Sequence, residues 1–487
     1  MAQNHRTWLT STKTRTTSTK AVMRARFAAR PRANARPNGA TKGGRRPAKR
    51  AGALQARTRE VETWWEGLPA RYRIVGATSL AFVICNMDKV NMSVAILPMA
   101  SEYGWSAGTA GIIQSSFFWG YAVSQLPGGW LASKLTGKVV LPAGVLLWSL
   151  ATALIPQAAD EAVLLLCLAR ALVGLGEGIS PAAATDLISR VVPITERSRA
   201  TAVVFGGLNA GSVLGLIVAP FVINQFGWES VFYGFGALGI LWAAWYVVSF
   251  GGRELKKAEN ELEKYNGAPT ERKVEQNVPW GKFLRSQPLW ALAYTHFCNN
   301  WTGFVLLAWM PTYFSSGLGL DLKNASLLSI LPPVASIATS TFAAPMADKL
   351  IAEGKPVTLV RKAAQAIAFL GPAVCMTITA STEDPITAIS FLTIGLGLSA
   401  FSISGLYSNH ADLSPRYSSI LLGFTNTAGA TPGIIGVSLT GLLLDKTDNW
   451  ALSLFGPMLF FQITGALIFS IFGSGENQGF SEDSKNA

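Results

Sequence analysis

Charged side chains occur inside long apolar segments of this sequence. Four of them stand in such segments: Asp88, Lys89, Arg170 and Glu177. A charge at membrane depth is costly in free energy, so it normally faces a cavity or a partner and marks a functional site. Two cations lining one cavity would bind an anion, and a nearby carboxylate would couple that binding to a cation. These four residues are therefore the first candidates for chemistry.

Lys89 and Arg170 are the candidate anion-binding residues. Lys89 shares a predicted helix face with Asn86 and Ser93, which lie three and four residues away and complete a polar stripe. Arg170 and Glu177 are seven residues apart, which places them on nearly the same face of a helix, roughly 10 Å apart along its axis. We expect both cations to face the interior of a helix bundle.

Gly174 lies between Arg170 and Glu177 and has no side chain. We expect the helix surface to be open there, so that an anion or water can approach Arg170. Glu177 is the candidate coupling residue, because the charge of a carboxylate responds to an anion that occupies a neighbouring cation. A structural alternative stays open, in which these charges neutralise one another or a neighbouring helix.

Other polar residues are candidate accessory groups. Asp88 could act at the site or serve only as a structural partner. His296, and His410 together with Asp412, could join a proton relay, although buried histidines more often make ordinary hydrogen bonds. The sequence thus offers a second group of titratable residues, well separated along the chain from the first.

These residues must be positioned by membrane-spanning helices. A bilayer core requires roughly 20 apolar residues in a helix, because no water is present to satisfy the backbone. Twelve runs meet this requirement: 74–99, 111–131, 139–157, 162–185, 201–225, 230–250, 289–314, 325–346, 363–380, 386–409, 418–444 and 452–473. We therefore predict an all-α membrane protein with twelve spans in two six-helix bundles.

The chain divides by composition into five segments. We predict a basic tail over 1–70, a six-helix bundle over 71–250, a charged central loop over 251–288, a second bundle over 289–475 and a polar tail over 476–487. Basic residues are concentrated in the loops on the side of both tails, whereas the opposite loops carry only Lys323 and Lys446. This asymmetry follows the positive-inside rule and supports the count of spans.

The formal net charge of +13 comes from the amino-terminal tail. Residues 1–59 contain sixteen of the 41 basic residues and none of the 28 acidic ones, so the remainder is mildly acidic. A tail rich in Arg, Ser, Thr and Ala without acids is typical of an organelle transit peptide. A lipid-binding tail and a nuclear basic patch are the alternatives, and the second fits a membrane protein badly. We expect no nucleic-acid partner.

Several motifs resemble the anion:cation symporter family of the major facilitator superfamily. They include Asp88–Ile96 (DKVNMSVAI), Arg170–Gly178 (RALVGLGEG), Glu196–Arg199 (ERSR) and Asn409–Asp412 (NHAD). The likeness covers residues 73–475, and the basic tail with His296–Trp301 (HFCNNW) resembles the plant plastid branch, the phosphate transporter 4 type. The resemblance implies sodium- or proton-coupled transport of phosphate, or of an organic anion such as ascorbate, in a plastid envelope or thylakoid membrane.

The resemblance also assigns residues, with two departures from the family. Lys89 stands where arginine is common, which keeps the charge but loses the planar fork suited to phosphate. Asn299 stands where vesicular glutamate carriers have arginine, which speaks against glutamate as substrate. Asn91 and Asn299, both within matching motifs, are further candidate accessory residues. Ser133 replaces an acid in the facilitator loop motif after the second span, which weakens the expected latch between the bundles.

Other function classes lack the residues they need. The sequence has no H-E-x-x-H motif, no phosphate-binding glycine loop and no paired cysteines, so we predict neither an enzyme nor an ATP-driven pump, and no metal or other cofactor. Cys85, Cys167, Cys298 and Cys375 lie in separate apolar runs and are expected to be buried. The expected partners are a small anion, a coupling ion (Na⁺ or H⁺) and membrane lipid, and the sequence indicates no oligomeric state. A channel or a non-transporting receptor stays an alternative.

Overall fold

A computed structural model describes residues 67–193, 196–266, 278–415 and 417–480 of the 487-residue chain. The predicted transit peptide at 1–70 lies almost wholly outside these ranges. The middle of the predicted central loop lies outside them too.

Long helices account for most of the described chain. With the labels used below, they are Ala70–Tyr103 (α1), Ala107–Leu135 (α2), Gly137–Ala153 (α3), Val163–Val191 (α4), Arg197–Phe226 (α5), Glu229–Phe250 (α6), Gln287–Thr312 (α7), Leu331–Ala352 (α8), Val357–Ala380 (α9), Pro385–Ser399 (α10), Ser418–Thr447 (α11) and Gly456–Phe472 (α12). Each contains one predicted apolar run or most of it. Most helices extend a few residues beyond their run, because only the hydrocarbon part of a span must be apolar.

Several spans are broken or extended. A bend of 42° joins α3 to the short helix Ile155–Glu161, and Leu322–Leu328 leads into α8. A π-helical turn at Ile403–Tyr407 links α10 to the helix Ser408–Leu413. Such turns place side chains out of the regular helical register and are frequent at functional sites.

Apolarity supports the twelve predicted spans. Nine helical segments of the described residues are long and apolar enough to cross a membrane, and the bent segment that includes α3 makes a tenth. The remaining two long helices, α2 and α7, have 29 and 26 residues, which is enough to cross a bilayer. No strand occurs in the described part of the chain. The predicted all-helical fold is confirmed.

Glycines set the distance between helices inside the first bundle. Gly207, Gly211 and Gly215 of α5 recur every four residues and face α1, as predicted for close packing. A Cβ atom at Gly211 would lie 2.3 Å from the carbonyl oxygen of Val83, which is closer than any side chain can approach. The missing side chains let the backbones of α1 and α5 touch.

The two bundles meet chiefly through α2 and α11. A Cβ atom at Gly441 of α11 would lie 2.3 Å from the Ala107 carbonyl oxygen of α2. Beside it, the Asp445 carboxylate accepts hydrogen bonds from Gly108 N and Ser106 Oγ, both at 2.8 Å, at the exposed amino terminus of α2. A carboxylate there pairs with unsatisfied N–H groups and with the helix dipole. This contact joins the bundles at the end where α1 finishes.

The opposite end, where α1 begins, carries most of the basic residues and is called the basic end below. Arg71 pairs with Glu196 at 3.2 Å, and the predicted facilitator loop is held by Asp186, which accepts from Gly137 N at 2.8 Å and from Arg190 Nε at 2.7 Å. The acid that Ser133 lacks is therefore supplied to this turn by α4.

The central segment between the bundles is not all loop. It contains the helix Arg253–Asn266, which buries Leu255 and Ala258, and the short helix Trp280–Arg285. Phe480, near the carboxyl terminus, packs against Phe283 of that short helix with ring centroids 4.8 Å apart. Apolar side chains thus tie parts of both predicted polar segments to the basic end.

Substitution of Gly211 by Ala tests the packing of α1 against α5. We expect the added methyl group to push the helices apart and to lower the free energy of unfolding by about 1–3 kcal/mol. Gly206→Ala on the same helix is the matched control, because nothing lies within 4 Å of its Cβ position. Thermal melting of purified protein in detergent measures both. Equal melting temperatures for the two variants would contradict the packing described here.

Candidate functional site

Lys89 and Glu177 form an ion pair in the core of the first bundle. Lys89 Nζ lies 3.2 Å from Glu177 Oε2, and the Glu177 side chain is completely buried, whereas that of Lys89 is 15% exposed. Lys89 lies near the middle of α1 and Glu177 near the middle of α4. The sequence predicted both residues but not their pairing.

Two aromatic rings of α2 lie beside the cations. Lys89 Nζ is 5.1 Å from the centroid of Phe117 and 5.3 Å from that of Tyr121, while the Arg170 guanidinium carbon is 5.4 Å from the Phe117 centroid. The π faces of aromatic rings attract cations, more strongly where water is excluded. Phe117 therefore links the two predicted anion-binding residues through one ring.

Arg170 differs from Lys89 because it is incompletely paired. Its side chain is buried, and neither Nε nor Nη1 has a hydrogen-bond partner among the described residues. Leaving a buried donor unpaired costs about 1–3 kcal/mol, and more when the group is charged. A guanidinium with free donors is suited to bind a carboxylate or phosphate. Arg170 is thus poised for an anionic ligand.

A small cavity connects the two cations with the second bundle. Its volume is about 20 Å³, and its lining residues are Lys89, Met92, Ser93, Gln114, Phe117, Phe118, Arg170, Phe304, Leu307 and Ala308. Phe118 of α2 and Phe304 of α7 touch across the bundle interface, with centroids 4.7 Å apart. A space of this size accommodates about one water molecule. The bundles must separate slightly here before an anion can enter.

The other polar residues of α1 face different neighbours. Asp88 Oδ2 accepts a hydrogen bond from Thr152 of α3, and its Oδ1 has no hydrogen-bond partner among the described residues, which favours the structural alternative. Asn86 donates to the Leu208 carbonyl of α5 at 2.7 Å. The predicted polar stripe is therefore wrong at Asn86, and Ser93 is the residue of that stripe that lines the cavity with Lys89.

Two further candidates on these helices, Gly174 and Asn91, are buried. The predicted open surface at Gly174 is wrong, because a Cβ atom there would lie 1.9 Å from the Phe117 carbonyl oxygen. Gly174 brings α4 against α2 instead of admitting an anion, and Phe117 is thereby held beside Arg170. Asn91 is fully buried, and neither polar atom of its amide has a hydrogen-bond partner among the described residues.

The histidines lie together in the second bundle. His296 Nδ1 and His410 Nε2 are 3.0 and 2.7 Å from the same atom, Oγ1 of Thr425 on α11. Asp412 does not join them, because Arg361 of α9 holds its carboxylate at 2.6 and 3.2 Å. The two histidines of the predicted relay therefore lie together, and the prediction that Asp412 accompanies His410 in it is wrong.

Asn299 lies on a second and much larger cavity between the bundles. This cavity has a volume of about 810 Å³ and is lined by residues of α5, α7, α8, α9, α10 and α12 and of the turn that follows α10. Asn299 Nδ2 lies 3.5 Å from the hydroxyl oxygen of Tyr407, which lines the same cavity. The lining carries hydroxyl and amide groups from both bundles and no charged side chain.

Sequence reasoning missed the uncharged members of both groups. Phe117 and Tyr121 are four residues apart on α2, a spacing that signals a common face but not a cation beside it. Thr425 carried no signal, since an isolated threonine in an apolar helix is common. No cluster of three potential metal ligands occurs in the described part of the chain, and all four cysteines are free and buried.

Comparison with known proteins places this arrangement in a family. Residues 78–437 match the Major Facilitator Superfamily over most of the chain. The chain belongs to the Major Facilitator Superfamily. Membership in this superfamily confirms the expectation of a transporter rather than an enzyme. The predicted resemblance to plant plastid anion transporters is confirmed by the relatives described next.

Curated relatives from Arabidopsis thaliana share this length of sequence. "Probable anion transporter 6, chloroplastic" is 51% identical and the match covers 88% of this chain and 84% of that relative. "Sodium-dependent phosphate transport protein 1, chloroplastic" is 43% identical, with 85% and 81% covered. "Ascorbate transporter, chloroplastic" is 40% identical, with 87% and 78% covered.

Solved structures share the fold of this facilitator at low sequence identity. The crystal structure of the D-xylose-proton symporter has a TM-score of 0.67 at 13% identity, and the match covers 83% of this chain and 99% of that one. This similarity supports the architecture of two six-helix bundles. At 13% identity it shows the fold and not the binding site.

Substitution of Lys89 by Met tests the buried ion pair. We expect a loss of about 3–5 kcal/mol in the free energy of unfolding, because Glu177 would remain as a buried carboxylate without its cation. Adding Glu177→Gln to that variant should restore most of the loss. Thermal melting of the single and double variants gives the comparison. A double variant as unstable as Lys89→Met would show that the pair does not interact as described.

Proposed function

We propose that this chain carries inorganic phosphate across a plastid membrane by alternating access, as a secondary active transporter. The observation that carries the proposal is the buried guanidinium of Arg170, whose two unpaired donors line a cavity shared with Lys89 and the second bundle. Anion transport rests on the family and on relatives named for it, and phosphate rests on the one relative named for phosphate.

Charge balance explains how an anion would bind at this depth. Asp88, Lys89, Arg170 and Glu177 carry two formal charges of each sign, so the group is neutral when all four are ionised. An added anion leaves one uncompensated negative charge in a low-dielectric interior, which is costly. Entry of one cation with the anion restores neutrality. This logic favours symport over uptake of the anion alone.

Glu177 is the group through which we propose that the cation acts. It holds Lys89 at 3.2 Å, so Lys89 is occupied until Glu177 is neutralised. A proton on this carboxylate, or a sodium ion beside it, would free Lys89 to turn toward an anion on Arg170. The two cations would then share the anion at the bundle interface, where the change in packing between Phe118 and Phe304 can follow binding.

An organic anion such as ascorbate is the second candidate substrate. The observation that favours it is the cavity of about 810 Å³ lined by Asn299, Tyr407 and other uncharged polar groups. Hydroxyl and amide side chains bind the hydroxyl groups of a sugar-derived acid, whereas phosphate needs only the cations Lys89 and Arg170. One relative is named as an ascorbate transporter.

The location of the transporter follows from two observations. The relatives described above are named as chloroplastic, and the amino-terminal 59 residues of this chain have the composition of an organelle leader. We place the chain in a plastid envelope or thylakoid membrane, with the basic end in the stroma.

Arg170→Ala tests the anion site. We expect phosphate uptake into liposomes that contain the full-length protein to fall to background, because the free guanidinium donors are removed. The variant should still elute as a monodisperse peak in size-exclusion chromatography. Arg285→Ala, at an exposed residue of the basic end, serves as the control and should transport normally. Normal uptake by Arg170→Ala would remove this residue from the site.

Glu177→Gln tests the coupling step. The neutral amide mimics a neutralised carboxylate, so we expect phosphate counterflow between equal solutions to persist while gradient-driven accumulation falls. Counterflow also separates a carrier from a channel, since a channel does not exchange labelled against unlabelled anion above equilibrium. Unchanged accumulation would place the coupling group elsewhere.

A further inference from the structure

A chain of three hydrogen-bonding side chains crosses the inner part of the second bundle. His296 comes from α7, Thr425 from α11 and His410 from the helix Ser408–Leu413. Their side chains are 1%, 0% and 2% exposed. Thr425 Oγ1 stands between the two rings, 3.0 Å from His296 Nδ1 and 2.7 Å from His410 Nε2. His296 and His410 are the only histidines among the described residues, and the Thr425 hydroxyl lies between them.

The partners of the two rings determine the direction of the hydrogen bonds. His410 Nδ1 is 3.1 Å from the Tyr407 carbonyl oxygen, which only accepts, so this nitrogen carries a proton. In a neutral ring Nε2 is then the acceptor and receives the Thr425 hydroxyl proton. The Thr425 oxygen in turn accepts from His296 Nδ1. The neutral chain therefore runs from His296 through Thr425 to His410.

The same geometry accommodates one additional proton. Thr425 Oγ1 lies 3.2 Å from the Leu422 carbonyl oxygen, a second acceptor for its hydroxyl proton. When His410 Nε2 is protonated, Thr425 can donate to Leu422 and accept from both rings, which is the full capacity of a hydroxyl group. The Thr425 hydroxyl and the two ring nitrogens beside it keep a hydrogen-bond partner in both states. A structural hydrogen bond needs only one of these arrangements.

His296, at one end of the three groups, lies against Tyr407, which lines the large cavity. The His296 and Tyr407 rings meet edge to face with centroids 5.4 Å apart, and Tyr407 lines the cavity of about 810 Å³. His296 Nε2 is the ring nitrogen that does not contact Thr425. A proton added at this nitrogen passes its charge along the three groups: His296 gives its Nδ1 proton to Thr425, and Thr425 gives its own to His410 Nε2. Thr425 then accepts from His410 Nε2 and donates to His296 Nδ1, and a change of tautomer at His296 gives the arrangement in which both rings donate to Thr425. The proton count balances, and no other bond changes.

The titratable groups around His296, Thr425 and His410 do not include a counter-charge in contact with either ring. Asp412, two residues from His410, is closed in its ion pair with Arg361 of α9. Tyr407 lies beside His296, and Tyr121 of α2 faces Tyr407 across the bundle interface. No free carboxylate touches either ring among the described residues, so a bound proton is not trapped by a fixed counter-charge. This condition suits a site that must release its proton in every cycle.

We propose that the His296–Thr425–His410 chain takes up and releases a coupling proton, separately from the anion site in the first bundle. The inference rests on the proposed anion transport and adds a proton site in the second bundle to the cation step proposed at Glu177. It gives the second bundle a functional group of its own, separated from the inter-bundle cavity by Tyr407.

Substitutions at Thr425 test the chain without altering either histidine. Full-length protein is placed in liposomes, and phosphate accumulation driven by an imposed pH gradient is compared with phosphate counterflow at equal pH. For Thr425→Val we expect counterflow within about twofold of the natural protein and a loss of at least about tenfold in accumulation, since a proton step is removed. Thr425→Ser keeps the hydroxyl and should restore accumulation. Thr427→Val, an exposed threonine of the same helix, is the matched control.

A second readout is independent of transport. The chain has only three histidines, so ¹⁵N-histidine spectra of the full-length protein in lipid discs resolve His296 and His410 individually. We expect both signals to change together at acidic pH, below about 6.5, because burial disfavours a charged ring, and to change separately in Thr425→Val. Failure of phosphate counterflow in the natural protein would overturn the proposed substrate, while the spectra still test the proton site. Histidine signals that do not respond to pH, or normal pH-driven accumulation by Thr425→Val, would overturn the inference.

Discussion

Charge inside a membrane must be compensated close by, and this requirement organises the centre of the transporter. Lys89 is compensated by Glu177 at 3.2 Å, whereas Arg170 shares the Phe117 ring with Lys89 and keeps two donors unpaired. Asp88, Lys89, Arg170 and Glu177 are together neutral when all are ionised, but the hydrogen-bonding capacity of Arg170 is not filled. That imbalance distinguishes a binding site from a structural ion pair, because a fully paired group gains little from a ligand.

Helix packing converts this balance into a site between two moving parts. Gly174 lets α4 touch α2 at Phe117, and Gly211 lets α5 touch α1 at Val83, so the charges of α1 and α4 are held at fixed distances. The second bundle contributes no charge to the small cavity, only Phe304, Leu307 and Ala308. Binding energy gained at the cations can therefore be spent on the contact between bundles, where Phe118 and Phe304 meet. Alternating access requires such a link between occupancy and packing.

The sequence predicted the helices and the charges well, for a physical reason. Apolar runs of membrane length are easy to recognise in a sequence, and so are charges within them. The helices α1 to α12 and the residues Lys89, Arg170 and Glu177 could therefore be found directly. Periodicity shows which residues share a face but not which helix packs there. The role of Gly174, the turning of Asn86 toward α5 and the capture of Asp412 by Arg361 depend on that packing. Thr425 was missed because its proposed role depends only on the two rings beside it.

The central claim is that the transported anion binds between Lys89 and Arg170. Electron cryomicroscopy of the full-length protein in lipid discs with saturating phosphate tests it without assuming a coupling ion. We expect density for phosphate in contact with both side chains, an enlarged cavity between Phe117 and Phe304, and a Lys89–Glu177 separation longer than the 3.2 Å seen here. Density for phosphate elsewhere, such as beside Asn299 and Tyr407, with the Lys89–Glu177 pair still closed, would contradict the account.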